Sequence, residues 1–329
     1  MRCTMNSESV GTSETIQDEV SGGDSISRSV NVVQLRRRPR SRIEDDKNKG
    51  WEVTSRRGSK KLLFFEDAPD VLQFNKYIRS GYRAGFSYWD CVRSVSQVHN
   101  ETGNIWSHLL PLTIWTLLLA LGVITPWKFA PWAFFWSAVS ICCCFTGSIL
   151  YHTFMGCDCH YRGWLSLDIC GIYFVLVGSQ WAGMLIGFAC HPRLGKASVA
   201  LYYLVGALGI VSSLRAKTSK QRGLPLLALL ALRIAFLSTR PTLGGASMEA
   251  FWVYAAAEVV SFVGGVVNVL RIPERWGPPP KPRTQARFDY WANSHQLMHI
   301  FVTIAMIIMH YGLAIDVKYF QNPLATCPA

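Results

Sequence analysis

The chain has 329 residues, of which 50% are hydrophobic and 16% charged, and its mean hydropathy is +0.18. About a quarter of the residues in a soluble globular domain are charged, so this composition argues against a soluble protein and favours a membrane protein. The formal net charge of +12 would also suit a nucleic-acid-binding protein. However, the basic residues are distributed as a membrane topology signal, so we do not expect nucleic acid as a partner.

The chain before the first apolar stretch divides into two parts. Residues 1–60 are rich in Ser, Thr, Asp, Glu and Arg, which predicts a disordered basic cytosolic tail. The run RRRPRSR (36–42) is typical of a solvated tail, with contact to anionic lipid as the alternative. Residues 61–104 mix apolar, aromatic and basic side chains, which predicts an interfacial segment beneath the membrane domain. The first 30 residues lack the apolar core of a signal peptide.

Seven apolar stretches approach the length of about 20 residues that a membrane-spanning helix needs. They lie at 105–125, 131–155, 164–190, 196–214, 223–239, 248–270 and 293–315. The sequence therefore predicts an all-α integral membrane protein with seven transmembrane helices over residues 105–315 and a short tail at 316–329.

The Lys and Arg residues predict the orientation of these helices, because cytosolic loops carry an excess of them. Most Lys and Arg residues precede residue 105 or lie in the second, fourth and sixth connections between the predicted spans. Few lie in the first, third and fifth connections. The N-terminus is therefore expected in the cytosol and the C-terminus outside or in a lumen. The glycosylation sequon Asn100-Glu101-Thr102 would then be cytosolic and unmodified.

Cysteine patterns carry little functional information. ICCCF (141–145) lies within the second stretch, where thiols pack as small apolar groups. Cys157, Cys159 and His160 in CDCH resemble a metal-binding cluster only weakly. An ordinary loop in a reducing compartment is the favoured interpretation.

Histidines provide the strongest functional signal. His295 and His299 lie four residues apart in NSHQLMHIF (293–301), so they share one helix face. The seventh stretch runs outward and the second inward, which brings His152 close to the same cytosolic boundary. Asp168, in the first turns of the third stretch, is expected at this level as well. Ionisable groups at membrane depth are costly and therefore indicate a functional site.

Three imidazoles with one open coordination position are typical of a catalytic zinc site, in which the pKa of a bound water falls to about 7. The predicted Zn²⁺ ligands are His152, His295 and His299. Asp168 would hold or deprotonate the water. Ser148, four residues before His152, would donate a hydrogen bond to the water or to an oxyanion.

Structural roles are the alternative for these histidines and the expectation for other buried polar residues. Without a metal, the three histidines would make separate hydrogen bonds between helices, as we expect for His108 and His310. Arg233 and Glu258 each lie near the middle of a predicted span, where an unpaired charge is costly. We therefore predict that they pair or share a polar cavity.

Several segments together resemble the progestin and adipoQ receptor family, which includes the adiponectin receptors and is related to haemolysin III and, more distantly, to alkaline ceramidases. They are HNETGNIWSHLLP (99–111), SILYH (148–152), LDICGI (167–172), RIPERWGP (271–278) and FDYWANSHQLMH (288–299). LQFNKYIRSGYR (72–83) resembles the family's pre-membrane segment, so the likeness covers about residues 62–315. PPPKPRTQAR (278–287) is longer than the family's usual link, and Ala292 stands where glycine is common.

The resemblance implies roles for individual residues. In the family, the histidines matching His152, His295 and His299 bind zinc, the residue matching Asp168 holds zinc-bound water, and the serine matching Ser148 lies beside it. Family members are seven-span receptors with cytosolic N-termini, and several are linked to ceramide hydrolysis.

Three functions follow as alternatives. The first is a zinc-dependent amidase that acts on ceramide-like lipids and regulates sphingolipid signalling. The second is a receptor in which zinc is structural and a lipid or protein ligand shifts the helices. The third is a scaffold in the Golgi or plasma membrane that binds cytosolic proteins through its tail. An open metal position favours the first, because structural zinc sites are normally closed by four protein ligands.

Overall fold

The computed structural model describes residues 61–123, 131–157, 160–243, 247–279, 281–321 and 327. The predicted disordered tail lies outside these residues. Helices make up most of the described chain and are numbered in chain order. They are α1 (Tyr88–Ser94), α2 (Thr102–Ala120), α3 (Pro131–Phe154), α4 (Tyr161–Gly178), α5 (Trp181–Gly187), α6 (Pro192–Arg215), α7 (Ser219–Ser238), α8 (Arg240–Leu243), α9 (Met248–Leu270) and α10 (Ser294–Phe320).

Six helical segments of the described chain are long and apolar enough to cross a membrane. They are Pro131–Phe154, Tyr161–Gly187, Pro192–Arg215, Lys220–Leu243, Met248–Trp276 and Ser294–Phe320, and they correspond to the second to seventh predicted spans. α4 and α5 together form one of these segments, and α7 and α8 form another. The helical membrane architecture follows directly from these apolar runs.

The first predicted span differs from the others. Residues 102–120 form helix α2, but α2 is not among the six segments that meet the criteria of length and composition. Its first turns carry Asn104, Ser107 and His108, and these polar side chains lower the hydropathy of the whole helix. Because these three polar residues lie together in the first turns of α2, the surroundings of this end should be more polar than those of the rest of the helix.

Helix α10 lies at the centre of the packing. It contacts α9, α2, α5 and α3. The C-terminal turn of α3 and the N-terminal turns of α10, α2 and α4 lie at one end of the bundle, which we call the histidine end. The side chains carried by these turns are therefore brought together by the helix directions alone.

The pre-membrane segment covers the histidine end. Strands β1 (Leu63–Phe64) and β2 (Ser80–Tyr82) pair antiparallel, with Leu63 opposite Tyr82 and Phe64 opposite Ser80. Tyr82 and Ile78 pack against Tyr151 and Met155 at the end of α3. A short apolar layer therefore fixes the segment to the bundle.

Ala292 stands where the family commonly has glycine, and its backbone conformation is one that favours glycine. It adopts a φ of 59°, in the left-handed region where a Cβ costs roughly 1–2 kcal/mol and glycine is favoured. The next residue, Asn293, caps α10 by accepting hydrogen bonds from the backbone N–H groups of His295 and Gln296, both at 3.2 Å. The turn is therefore held by its cap despite the alanine.

Two buried ion pairs tie helices together away from the histidine end. Arg233 on α7 donates through Nη2 to Glu258 Oε1 on α9, and both side chains are about nine-tenths buried. Arg240 on α8 donates to both carboxylate oxygens of Asp316 on α10. Because lipid is as apolar as the helix surfaces, such polar contacts contribute specifically to helix association.

Replacing one partner of the Arg233–Glu258 pair should destabilise the protein more than replacing both partners. We expect Arg233→Met to lower the free energy of unfolding by roughly 3–5 kcal/mol, because Glu258 is left buried without its partner. Replacing both residues by Met should recover much of this loss. Denaturant titration in detergent would measure the effect, with Arg162→Met at an exposed position as the control. A double variant no more stable than the single variant would contradict this account.

Candidate metal centre

Three histidines converge at the histidine end of the bundle. His152 lies in the last turn of α3, and His295 and His299 lie in the first two turns of α10. Each offers one ring nitrogen such that the three atoms lie within 4.8 Å of one another. His152 and His299 are buried and His295 is partly buried. Helix direction and the i, i+4 spacing are sufficient to bring these rings together.

A carboxylate fixes the first ring. His152 Nδ1 lies 2.8 Å from Glu101 Oε2, and the Glu101 side chain is almost completely buried. Burial by itself would raise the pKa of Glu101, but hydrogen bonds from His152 and Asn104 and the Arg83 guanidinium lower this pKa to about 2. An ionised carboxylate can only accept hydrogen bonds. In the neutral form of the ring, His152 therefore carries its proton on Nδ1, and its Nε2 keeps a free lone pair.

The second ring is fixed by a hydroxyl. Ser107 Oγ lies 2.9 Å from His299 Nδ1 and donates its own hydrogen to the Asn104 carbonyl oxygen at 2.9 Å. A serine hydroxyl has one hydrogen, so towards His299 it acts as the acceptor. His299 is therefore also protonated on Nδ1, and its Nε2 is available as a ligand.

The third ring follows the same rule. His295 Nδ1 lies 3.3 Å from the side-chain oxygen of Asn268, in the last turn of α9. Arg271 Nη1 donates to this oxygen as well, at 3.4 Å. An amide oxygen accepts only, so His295 presents Nε2 to the centre of the cluster. Hydrogen bonding of the second ring nitrogen is the usual way in which a protein orients a metal-binding histidine.

The resulting geometry fits a zinc ion. His152 Nε2 and His295 Nε2 face each other at 3.3 Å. Two imidazole nitrogens at the zinc–nitrogen distance of 2.0–2.1 Å and a tetrahedral angle are about 3.3 Å apart. Two lone pairs at this separation repel each other unless a cation lies between them. The donor set of three neutral imidazoles suits zinc and leaves one of four positions for a further ligand.

Asp168 and Ser148 lie beside this cluster and outside its ligand set. Ser148 is buried one turn before His152 on α3. Asp168 on α4 is half-buried, and α4 packs along α3. The helices approach closely because a Cβ on Gly147 would lie 2.9 Å from the Leu167 carbonyl oxygen and 3.5 Å from Asp168 Cα.

The other histidines lie outside the ligand group. His108 stacks on His299 with ring centroids 3.9 Å apart and an interplanar angle of 7°. Neither ring nitrogen of His108 has a hydrogen-bond partner among the described residues, so the predicted interhelical hydrogen bond of this residue is wrong. His310 Nδ1 is 3.2 Å from Ser137 Oγ, which joins α10 to α3 as expected of an interhelical partner. His160 Nδ1 bonds the Tyr88 hydroxyl at 2.7 Å, while residues 158–159 of the CDCH motif lie outside the described residues.

Sequence reasoning missed the three acceptors that orient the rings. Glu101, Ser107 and Asn268 lie at helix ends, and Glu101 belongs to a glycosylation sequon but to no recognisable metal-binding motif. Each is a polar residue at the edge of an apolar stretch at the same predicted depth as the histidines. That shared depth is the signal that could have identified them.

Comparison with known protein families gives a consistent result. The family model described as "Haemolysin-III related" matches residues 96–311. Progestin and adipoQ receptor family member 4 of Homo sapiens is 32% identical over 278 residues, which cover 82% of this chain and 97% of the relative. The resemblance to the progestin and adipoQ receptor family is therefore confirmed.

More distant relatives extend across kingdoms. The adiponectin receptor protein of Drosophila melanogaster is 28% identical over 322 residues, covering 92% of this chain and 68% of the relative. Heptahelical transmembrane protein 3 of Arabidopsis thaliana is 26% identical over 301 residues, covering 75% of this chain and 85% of the relative.

Removal of single ligands tests the metal centre. We expect the purified protein to hold about one zinc ion per chain and His152→Ala or His299→Ala to lose it, because two imidazoles hold zinc poorly. His310→Ala provides a matched control, since it removes a buried histidine from the same helix away from the cluster. Elemental analysis of the purified variants would measure the zinc content. Full zinc occupancy in both ligand variants would refute the assignment.

Proposed function

Because the chain belongs to the haemolysin-III-related family and is a multi-pass integral membrane protein, we propose that it is a seven-span zinc-dependent amidohydrolase of the progestin and adipoQ receptor type. Its substrates would be ceramide-like lipid amides, and its products would act in sphingolipid signalling. Helix α2 would be the first span. The protein would reside in the plasma membrane or the Golgi membrane.

One observation carries this proposal. Three imidazoles each offer a ring nitrogen within 4.8 Å of the other two, while the carboxylate on α4, Asp168, stays outside the ligand group. A structural zinc site is normally closed by four protein ligands, whereas a catalytic site keeps one position open for water or substrate. The arrangement therefore favours an open site with a separate acid–base group.

The chain's own residues supply the remaining steps of amide hydrolysis. A bound zinc ion would supply a Lewis acid that makes water nucleophilic near neutral pH. Asp168 would take a proton from the attacking water as its oxygen bonds to the amide carbonyl carbon. Ser148 would donate a hydrogen bond to the carbonyl oxygen as negative charge develops. The carbon–nitrogen bond then breaks, and the proton passes from Asp168 to the departing amine.

The distribution of charge and cysteine supports a cytosolic histidine end. Cys190, after α5, forms a disulfide with Cys327, after α10, across 137 residues of sequence. Both cysteines follow helix ends opposite the histidine end, and disulfides persist in oxidising compartments. The loops at the histidine end carry most of the basic residues of the membrane domain, as cytosolic loops do. The N-terminus would therefore be cytosolic and the C-terminus extracellular or lumenal.

A receptor is the second candidate, and the names of the relatives favour it. The human and Drosophila relatives are called receptors. In this case zinc would be structural, and a lipid or hormone ligand would act at the open position without being hydrolysed. Scaffolding of cytosolic partners by the N-terminal tail would be a further activity of the same membrane protein.

Asp168 separates the enzyme from the receptor. We expect Asp168→Asn to retain zinc and the fold, because the three imidazoles supply the ligands, but to hydrolyse ceramide at least about 100-fold more slowly, since Asn cannot take a proton. Labelled ceramide hydrolysis and zinc content, measured on the same preparation, would test this. Ser148→Ala should lose less activity, because a bound zinc ion would also stabilise the negative charge on the carbonyl oxygen.

The control is Glu249→Gln, the same loss of one carboxylate at an exposed position on the opposite side of the bundle. Hydrolysis by Asp168→Asn at the parental rate would refute the mechanism. If the zinc-loaded parent and the variants all fail to hydrolyse ceramide, the result would refute the enzyme proposal and favour the receptor.

Glycosylation mapping tests the orientation. We expect a glycosylation tag at the C-terminus to be modified and Asn100 to stay unmodified, because only lumenal segments meet the glycosylation machinery. A mobility shift on glycosidase treatment would measure both. Modification of Asn100 would reverse the orientation and move the histidine end out of the cytosol.

A further inference from the structure

Residues 75–83, which include strand β2, contact every helix end that carries the metal centre. We call them the β2 segment. They come before the first predicted span and contribute no side chain to the cluster. Even so, Asn75, Arg79, Ser80 and Arg83 are all more than nine-tenths buried. Four buried polar residues in nine positions must each be matched by specific partners.

Arg83 binds the end of α3 at the metal ligand itself. Its Nη2 donates to the carbonyl oxygen of His152 at 2.6 Å, and its Nη1 donates to that of Thr153 at 3.1 Å. Nη1 also lies 2.5 Å from Ser94 Oγ at the end of α1. The carbonyl groups in the last turn of a helix have no partner within the helix and carry partial negative charge. A planar guanidinium can bind two such oxygens side by side.

Gly81 binds the start of α2. Its carbonyl oxygen accepts from the backbone N–H of Asn100 at 3.1 Å, one residue before Glu101. Its φ is 89°, and a Cβ here would lie 2.8 Å from Asn100 N and 2.6 Å from Tyr290 Cε1. Only glycine allows β2 to approach both neighbours this closely.

The start of α10 is reached through a carboxylate. Asn75 Nδ2 donates to Glu274 Oε1 at 3.0 Å, and Glu274 Oε2 accepts from the backbone N–H of Ser294 at 2.7 Å. The Ser294 hydroxyl donates to the same carboxylate. Ser294 is the first residue of α10 and directly precedes His295. A carboxylate at a helix N-terminus is stabilised by the free N–H groups there.

A second carboxylate fastens the same loop. Asp289 is fully buried and accepts from the backbone N–H of Arg79 at 2.6 Å, from Ser80 Oγ at 2.7 Å and from the backbone N–H of Ala286 at 2.8 Å. It therefore binds β2 to the loop that leads into α10. The β2 segment therefore contacts the ligand-bearing ends of α3 and α10 and the start of α2, next to Glu101.

We infer that the β2 segment is a positioning element for the metal centre, with Arg83 and Asn75 as its main positioning residues. Arg83 fixes the backbone of His152, and Asn75 fixes the residue before His295 through Glu274. The two ligands that face each other at 3.3 Å are thus held from one short stretch of chain. This inference rests on the proposed zinc site. The β2 segment positions the ligands of that site and supplies no ligand itself.

Metal affinity separates this role from a contribution to folding alone. The full-length protein in nanodiscs would be stripped of metal and titrated with Zn²⁺ in competition with a chelator. The titration would be done at a temperature below the unfolding midpoint of each variant. Arg83→Lys keeps the charge but loses the planar fork. We expect it to bind zinc about 10–100-fold more weakly, the usual cost of changing a group that orients a metal ligand. Co²⁺ loaded into the same protein should show an altered visible spectrum, because the coordination geometry changes.

Arg240→Lys is the matched control. It makes the same substitution at a buried arginine that bonds a carboxylate and a backbone carbonyl at the opposite side of the bundle. We expect it to lower the unfolding midpoint and leave the zinc affinity within about twofold of the parent, since it contacts none of the ligands. Asn75→Ala provides a milder second variant if Arg83→Lys does not fold, and it should weaken zinc binding several-fold.

Two negative results have different meanings. A parent protein that binds no zinc would refute the proposed metal centre. A parent that binds zinc, with Arg83→Lys or Asn75→Ala binding it equally tightly and giving the parental Co²⁺ spectrum, would refute the positioning role and leave the metal centre intact.

Discussion

A neutral imidazole buried at the end of an apolar bundle must give its N–H to an acceptor, because an unmatched donor there costs the full desolvation penalty. Glu101, Ser107 and Asn268 meet this requirement for the three clustered histidines. All three acceptors bind Nδ1. The Nε2 atoms of His152 and His295 face each other at 3.3 Å, which is an unfavourable arrangement for two neutral rings unless a cation lies between them. The hydrogen-bond requirement of the rings thus orients the three ligands of the candidate metal centre.

The same requirement organises the segment that covers this end of the bundle. The carboxylates of Glu101, Glu274 and Asp289 are buried, and each accepts several hydrogen bonds from amide, hydroxyl or backbone donors. Buried charges are tolerated only when they are matched in this way. Because their donors come from β2 and from the starts of α2 and α10, matching the charges also joins these elements. The polar layer is therefore what attaches a short, mostly irregular segment to an apolar helix bundle.

The sequence predicted the helices and the shared depth of the histidines, because both depend on averages over about 20 residues and on helix direction. It placed His152, His295 and His299 at one level although His152 precedes His295 by 143 residues. It did not predict the acceptors of Nδ1, because the direction of a side chain such as Glu101 is set by the turn that precedes α2. The Cys190–Cys327 disulfide was likewise inaccessible, since nothing local connects two cysteines 137 residues apart.

Helix association within lipid cannot rely on burial of apolar surface, because the surrounding acyl chains are equally apolar. Close van der Waals packing and polar contacts therefore decide which helices meet. Arg233–Glu258 joins α7, the least buried of the six apolar segments, to α9, and Arg240–Asp316 joins α8 to α10. A metal bound by His152, His295 and His299 would be the corresponding contact between α3 and α10. Its open position would then couple the occupant of the site, whether substrate or ligand, to the packing of these two helices. Hydrolysis and reception would share this physical basis and differ in whether a base such as Asp168 completes the reaction.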